Sequence, residues 1–365
     1  MMQFGFERVL DVRIASVEVI PYALPFKEPY VTARGVLERR EMVLLRVRDA
    51  DGVVGLGEAV PLSLRGGVGL AEVVAELEGW AEERSTSGLS APSLCAVTTA
   101  QADLLGRRRP DQGRSGDETV PCNATLVAGK PKAVAADAER WAADGFTTFK
   151  LKLGAESVKS PVKADFSQTR GDVEQVRAVR EAVGAEARIR VDVNATWDLE
   201  TAKRRLGELE PFGIELAEQP VGRLEEMAEL AAATSIPLAA DESVTSLDEA
   251  ERAASMGVCA YTGIKLSKVG GPETALAIAG VLPAYITSAL DGPVGIAAGA
   301  QVARSLAETM HPERLHLAHG LATQRLFAET IAVVECELRD GMLHLPPGPG
   351  LGVEIDEEAL QAHRI

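Results

Sequence analysis

The chain has 365 residues, which suits one large domain plus a smaller one. Its composition, 46% hydrophobic and 25% charged, is that of an ordinary globular protein. The net charge of −16, from 38 basic and 54 acidic residues, argues against nucleic acid and anionic membranes as partners. No apolar run reaches the roughly 18 residues of a membrane span. The opening MMQFGFERVLDV has no long apolar core and no cleavage-like site, so no signal peptide is expected. Cys95, Cys122, Cys259 and Cys336 lack CxxC spacing and read as buried thiols of a cytosolic protein.

Residues 12–24, 41–48 and 54–60 are rich in Val, Ile and Leu and are expected as strands, with Asp51-Gly52 as a hairpin signal. Helical stretches follow near 70–84 and 91–106, so residues 1–118 suggest an α+β module. Segment 25–35 (PFKEPYVTARG) is polar and proline-rich and is expected as a connection, either at the surface or over a site elsewhere. Arg107, Arg108 and Arg109 precede a Gly/Asp-rich stretch and are read as a solvated loop at a domain boundary.

From residue 119 to about 323 short apolar strands alternate with amphipathic helices. The candidate strands are 120–126, 146–153, 187–193, 214–218, 236–241, 260–266, 284–290 and 314–319. Eight such units over about 200 residues are the arithmetic of a closed (β/α)8 barrel. An open doubly wound sheet usually carries a glycine-rich nucleotide turn, and neither GxGxxG nor GxxxxGK[ST] occurs here. Residues 324–365 hold strand-like stretches at 331–339 and 341–345 that leave the barrel. The expected fold is therefore a modified (β/α)8 TIM barrel with an α+β capping domain built from both chain ends.

A barrel places its chemistry at the C-terminal ends of its strands. Phe149-Lys150-Leu151-Lys152-Leu153 alternates with period two, which puts both lysines on one face. Two adjacent ammonium groups are expected to lower one another's pKa, as a lysine base requires. Later strands end in Asp192 and Asn194, in Glu218, in Asp241 and Glu242, and in Lys265. The steps from Asp192 to Glu218, Asp241 and Lys265 are 26, 23 and 24 residues, one βα unit each. Three converging carboxylates would repel unless a cation lay among them. A hard divalent ion such as Mg2+ suits oxygen ligands, and the lack of thiolate or imidazole makes zinc a poor match.

At these residues the chain resembles the enolase superfamily, in its muconate-cycloisomerase-like subgroup. The motifs are Lys150-Leu-Lys152, Asp192-Val-Asn194, Glu218-Gln-Pro220, Asp241-Glu242-Ser243 and Gly263-Ile-Lys265. The resemblance implies one divalent cation, Mg2+ or Mn2+, held by Asp192, Glu218 and Asp241. It implies Lys152 as acid/base assisted by Lys150, Lys265 on the opposite face of the substrate, and Asn194 and Glu242 as supports behind them. A mandelate-racemase pattern would need a histidine base. Lysine at position 265 sets that aside, and His316 and His319 are read as structural.

Thr287-Ser-Ala-Leu-Asp291, Gly295-Ile-Ala-Ala-Gly299 and Leu317-Ala-His-Gly-Leu-Ala322 are similar to segments of o-succinylbenzoate synthases, and residues 22–35 to their substrate-covering loop. That likeness implies proton abstraction beside a carboxylate and dehydration of 2-succinyl-6-hydroxy-2,4-cyclohexadiene-1-carboxylate, a step of menaquinone biosynthesis. Ser288, Leu321 and Lys268 are the implied substrate-side residues. Lys268 stands where related N-succinylamino-acid racemases resemble an arginine pattern, and it reads as a surface lysine or a substrate contact. The partner is a small carboxylate. Racemase, dipeptide epimerase and muconate cycloisomerase chemistry stay open on the same residues, as do a non-catalytic metal-binding barrel and a homo-oligomer. Asp241→Asn, at a barrel rim, is expected to weaken metal binding with little unfolding.

Overall fold

Alternation of β-branched and polar residues within 14–32 and 35–59 forms an antiparallel meander. Its strands are β1 (Ile14–Thr32), β2 (Gly35–Asp49) and β3 (Val54–Ala59), in that spatial order. This computed structural model describes residues 13–32, 35–63, 66–127, 129–154, 171–309 and 317–365. Segment 25–35, expected as a loop, is instead strand as far as Thr32 and again from Gly35. A register shift between Pro25 and Tyr30 absorbs the irregularity. Proline is tolerated because β1 is an edge strand of this sheet. The proline carbonyls are still used: Pro21 accepts from the Ile365 N–H at 3.2 Å and Pro25 from Ala328 at 2.9 Å. Phe26 stacks on Tyr30 and on Phe327, with centroids 5.4 and 5.1 Å apart, so the hairpin rests on the chain that follows the barrel.

Helices α1 (Leu70–Glu83) and α2 (Ala91–Arg107) cover the meander. The α2 backbone lies directly on β3, which only glycine permits. A Cβ at Gly57 would stand 1.9 Å from the Ala96 carbonyl oxygen. Gly57→Ala should cost roughly 1–3 kcal/mol or more through overpacking, read as a lower urea midpoint. An unchanged midpoint would contradict this helix–strand contact. Of the arginine triplet, Arg108 and Arg109 are exposed as expected, but Arg107 ends α2 and two of the three are paired. Arg107 pairs with Asp103 at 2.8 Å and donates to the Val353 carbonyl, and Arg108 pairs with Asp49 and Asp51. These cations bolt α2 to the meander and to the C-terminal segment.

The sequence then enters the barrel. Expected strand 120–126 is two pieces: β4 (Thr119–Pro121) and β5 (Ala124–Leu126). The alternating elements that follow are α3 (Pro131–Ala143), β6 (Thr148–Lys152), α4 (Gly171–Val183), β7 (Arg188–Asp192), α5 (Leu199–Leu209), β8 (Ile214–Glu218), α6 (Leu224–Ala231), β9 (Leu238–Ala240), α7 (Leu247–Met256), β10 (Tyr261–Ile264), α8 (Leu266–Val269), α9 (Pro272–Val281), β11 (Ala284–Ile286) and α10 (Pro293–Thr309). Strands β5 to β11 form one parallel sheet in sequential order. Parallel bridges Cys122–His319 and Thr287–Gly320 join its two edges and close the ring, so residues 319 and 320 occupy the eighth place. His316 and the start of expected strand 314–319 lie outside the described residues. Near-continuous apolar strands buried on both faces, such as Leu216-Ala217 and Leu238-Ala239-Ala240, fit a parallel sheet wrapped by helices.

After the barrel come β12 (Ala332–Val334), β13 (Glu337–Arg339), β14 (Met342–His344), β15 (Glu354–Ile355) and α11 (Glu357–His363). β14 pairs with β4, and Arg364 bridges Tyr22 on β1. Arg46 meets Glu357 at 2.6 Å. Both chain ends are thus tied together beside the barrel. The protein is a modified (β/α)8 barrel with an α+β cap. Among the described residues no helix is long and apolar enough to cross a membrane.

Candidate active site at the strand tips

Strand register delivers the polar groups to one rim. Lys152 is level with Asp192, and Asp192 with Glu218, on neighbouring strands. Asp241 follows β9 and Lys265 follows β10. The three carboxylates are fully buried, at 0% exposure. Lys152, on the second strand of the ring, and Lys265, after the sixth, stand on opposite sides, with the acids on strands three to five between them. The structure sets these residues on one rim, with Lys150, Lys152, Asp192, Glu218, Asn194 and Glu242 in one network of contacts and Asp241, Lys265 and Lys268 in another.

Each carboxylate is turned toward an amine. Lys150 Nζ lies 3.1 and 3.0 Å from Glu218 Oε1 and Oε2, and 3.1 Å from Asp192 Oδ2. Lys152 pairs with Asp192 and donates to Asn194 Oδ1 at 3.1 Å. Lys265 pairs with Asp241. Lys268 is no surface lysine: its side chain is 11% exposed and donates to the Asp241 carbonyl at 2.7 Å and to Oδ1 at 3.0 Å. Asn194 in turn donates to Glu242 Oε1 at 3.1 Å, which links the tips of β7 and β9.

The electrostatics correct one expectation. Burial pushes Lys150 down, but Glu218 and then Asp192 outweigh it, and its pKa stands above the ordinary lysine value. The lowering expected from a neighbouring ammonium is overridden by two buried carboxylates. Asp192 is raised by burial yet held well below the usual carboxylate range by Lys152 and Lys150. Glu218 is pushed up by burial and by Asp192, against Lys150.

Among the described residues no three His, Cys, Asp or Glu side chains are drawn together as a ready-made ligand cluster. The donor set nonetheless fits a hard divalent cation. It offers three buried carboxylates on consecutive strand tips, with Asp192 and Asp241 both raising Glu218 by their charge.

Several residues of the site went unremarked in the sequence. Gln219, fully buried at φ 39°, accepts through Oε1 from the Asp241 N–H (2.8 Å) and from Ser243 N and Oγ (3.1 and 2.9 Å). It locks the tip of β8 to that of β9. Asn194 and Ala195 also take left-handed backbone, at φ 51° and 58°; strain of this kind gathers where tertiary structure fixes a site. Tyr285 donates to Glu218 Oε2 at 2.5 Å from inside the barrel. Alternation along RIRVD puts Arg190 on the face of Asp192, a signal that could have found it.

His319 is structural. Its Nδ1 accepts from the Ile286 N–H at 3.0 Å, and burial, helped by Arg190, lowers its pKa to about 3. Ser288 exchanges hydrogen bonds with Asp291 at 2.6 and 2.9 Å rather than standing free. Leu321 is buried, at 1% exposure, beside Gly299.

A second polar cluster joins the cap to the mouth. Glu58 on β3 accepts from Tyr22 OH at 2.9 Å and from Gly292 N–H at 2.7 Å, and Arg40 reaches the Ala289 carbonyl at 3.2 Å. Burial, then Asp291, raises Glu58 from 4.5 to about 8. Below its ordinary value the group is protonated folded or unfolded. Between about 4.5 and 8 the unfolded chain releases a proton that the folded chain keeps. Stability should therefore fall with rising pH there, by up to about 1.4 kcal/mol per unit. Glu58→Gln should flatten that part of the melting-temperature profile; parallel profiles for the two proteins would refute the assignment.

A closed parallel barrel with amine, acid, acid, acid and amine on successive strand tips is the architecture of the (β/α)8 enzymes, a class that carries its chemistry at the C-terminal rim. Residues 133–359 match the family described as Enolase C-terminal domain-like, and the chain belongs to the enolase superfamily, with muconate-cycloisomerase-like relatives. It is similar to an o-succinylbenzoate synthase of Thermobifida fusca, 37% identical over 57% of this chain and 61% of that protein. It is 28% identical to muconate cycloisomerase 1 of Pseudomonas putida over 96% of this chain and 98% of that one. Among solved structures, a dipeptide epimerase from Cytophaga hutchinsonii, complexed with Mg and the dipeptide D-Ala-L-Val, superposes with a TM-score of 0.84. It is 25% identical, with 96% of this chain and 98% of that one covered.

Proposed function

We propose that the protein is an o-succinylbenzoate synthase, acting in the cytoplasm as a step of menaquinone biosynthesis. The barrel is taken as 119–323 between cap segments 1–118 and 324–365. One observation supports the proton-abstraction chemistry most: Lys152 and Lys265 stand across the ring from each other with three buried carboxylates between them. The substrate-specific part is supported by the 37% identity to the Thermobifida fusca synthase.

In this reading Asp192, Glu218 and Asp241 hold Mg2+. A divalent cation there supplies Lewis acidity for the charge that builds on the substrate carboxylate. The C–H proton beside that carboxylate passes to Lys152 Nζ. The ring hydroxyl leaves with a proton returned from the same Nζ, so the products are the aromatic acid and water. Lys152 is the more exposed member of its pair, 23% against 6% for Lys150, which supports it as the amine that meets the substrate. Lys150, wedged between Glu218 and Asp192, assists from below. Lys265 faces the opposite side of the substrate, with Asn194 and Glu242 tied behind the acids. Ser288, Leu321 and Lys268 are kept as substrate-side residues, and the β1–β2 hairpin as the cover.

A second reading is supported by the paired lysines themselves. An amine on each side of a carbon acid suits proton removal from one face and return to the other, as in racemisation or epimerisation. The likeness to the dipeptide epimerase leans the same way, and the end-to-end match to muconate cycloisomerase 1 keeps cycloisomerisation open beside it. The purified protein with Mg2+ should be offered the cyclohexadiene carboxylate, an N-succinyl amino acid, a dipeptide and cis,cis-muconate. Dehydration of the first supports the synthase. Turnover of the others alone would remove that assignment and keep the scaffold chemistry.

A further inference from the structure

We propose that Tyr285 is a positioning residue for Glu218, reaching across the barrel to fix one carboxylate oxygen so that the other is presented at the rim. The inference rests on the reading that Asp192, Glu218 and Asp241 hold a divalent cation. Tyr285 belongs to β11, seventh in the ring, and Glu218 ends β8, the fourth. Three strands apart, they are nonetheless joined by a 2.5 Å hydrogen bond from the phenol to Oε2.

The interior is shaped for this reach. Gly263, the register partner of Tyr285 on β10, leaves the room the ring occupies. A Cβ there would lie 3.2 Å from both Cζ and the hydroxyl oxygen of Tyr285. The Arg190 guanidinium lies over the ring, 5.1 Å from its centroid, and is itself held by Glu215 and by the Ala318 carbonyl at 2.6 Å. A cation over an aromatic face attracts it. With the ring held between glycine and guanidinium, the hydroxyl points to Glu218.

The chemistry of the donor matters. Lys150 also binds both Glu218 oxygens, but it brings a positive charge that opposes a metal ion close by. A phenol donates without adding charge. It can therefore stay on Oε2 when a cation takes the other oxygen, as partners behind metal ligands do. A buried tyrosine hydroxyl usually finds some partner, so the test must separate positioning from packing.

The measurement is Mg2+ binding by calorimetry on the full chain, alongside melting of each metal-free protein. Four proteins beside the unaltered one are compared: Tyr285→Phe, Gly263→Ala, the double variant and Asp241→Asn. Tyr285→Phe should raise the Mg2+ Kd by about tenfold, the lower end of such effects. Gly263→Ala keeps the hydroxyl but sets a methyl 3.2 Å from it; the few tenths of an ångström by which the ring must then shift off its 2.5 Å bond should also weaken binding, a result that can be read even if the phenylalanine variant fails to fold. In the double variant the two effects should not add, because both act through one hydroxyl. A merely structural tyrosine would lower the melting temperature and leave Kd unchanged, which overturns the inference alone if Asp241→Asn still weakens binding. No Mg2+ uptake by the unaltered protein overturns the metal reading and this inference with it.

Discussion

Lys152→Ala is expected to lower turnover by roughly 10²–10⁴-fold, the usual contribution of a positioned acid–base group, while the protein keeps its fold. The structure explains why the two effects separate. Lys152 is the partly exposed amine of its pair, and removing it leaves Asp192 still contacted by Lys150 at 3.1 Å. Asp192 and Glu218 both keep the Lys150 amine. Lys150→Ala is the contrasting case, since it removes the amine from both Glu218 and Asp192 in a fully buried setting. Steady-state rates with circular dichroism on Lys152→Ala check the first point. Near-normal turnover by a folded Lys152→Ala protein would remove Lys152 as the base.

Asp241→Asn is expected to weaken Mg2+ binding by more than about 100-fold, beyond the 10–100-fold typical of a supporting residue. It should also destabilise the metal-free protein, and here the structure changes the expectation. A rim carboxylate was expected to be removable with little unfolding. Asp241 is instead fully buried, with Lys265 paired to it and Lys268 on both its side chain and its carbonyl. Neutralising one partner of a buried pair leaves a charge uncompensated and costs about 3–5 kcal/mol. Calorimetric Mg2+ titration and urea unfolding of the variant read the two effects separately. A variant that binds Mg2+ as well as the unaltered chain would refute the ligand assignment.

Much of the barrel was legible because its signals are local. Apolar strands alternate with helices at one-unit spacing, and a charge ends or follows each buried run from β6 to β10. That is why Lys152, Asp192, Glu218, Asp241 and Lys265 could be placed on one rim before any coordinates. Features that depend on distant partners were not legible. Segment 25–35 reads as a connection because its prolines disfavour a central strand; its edge position, with Pro25 accepting from Ala328, lets it continue as strand to Thr32. Strand 120–126 split because Thr119–Pro121 pairs with Met342–His344, more than two hundred residues away. Lys268 looked like a surface charge because nothing local reveals the carbonyl of Asp241 beneath it. The raised Lys150 likewise follows from carboxylates on two other strands, which a count of neighbouring lysines misses. Arg190 differs, since simple alternation puts it below Asp192.

The central claim is that three strand tips hold one divalent cation between opposed amines. Its most direct measurement is an anomalous difference map from a crystal of the protein soaked in Mn2+. The account predicts a single strong peak within ligand distance of Asp192, Glu218 and Asp241, between Lys152 and Lys265. A fully soaked crystal with no peak there, or with its only peak elsewhere on the chain, would contradict it.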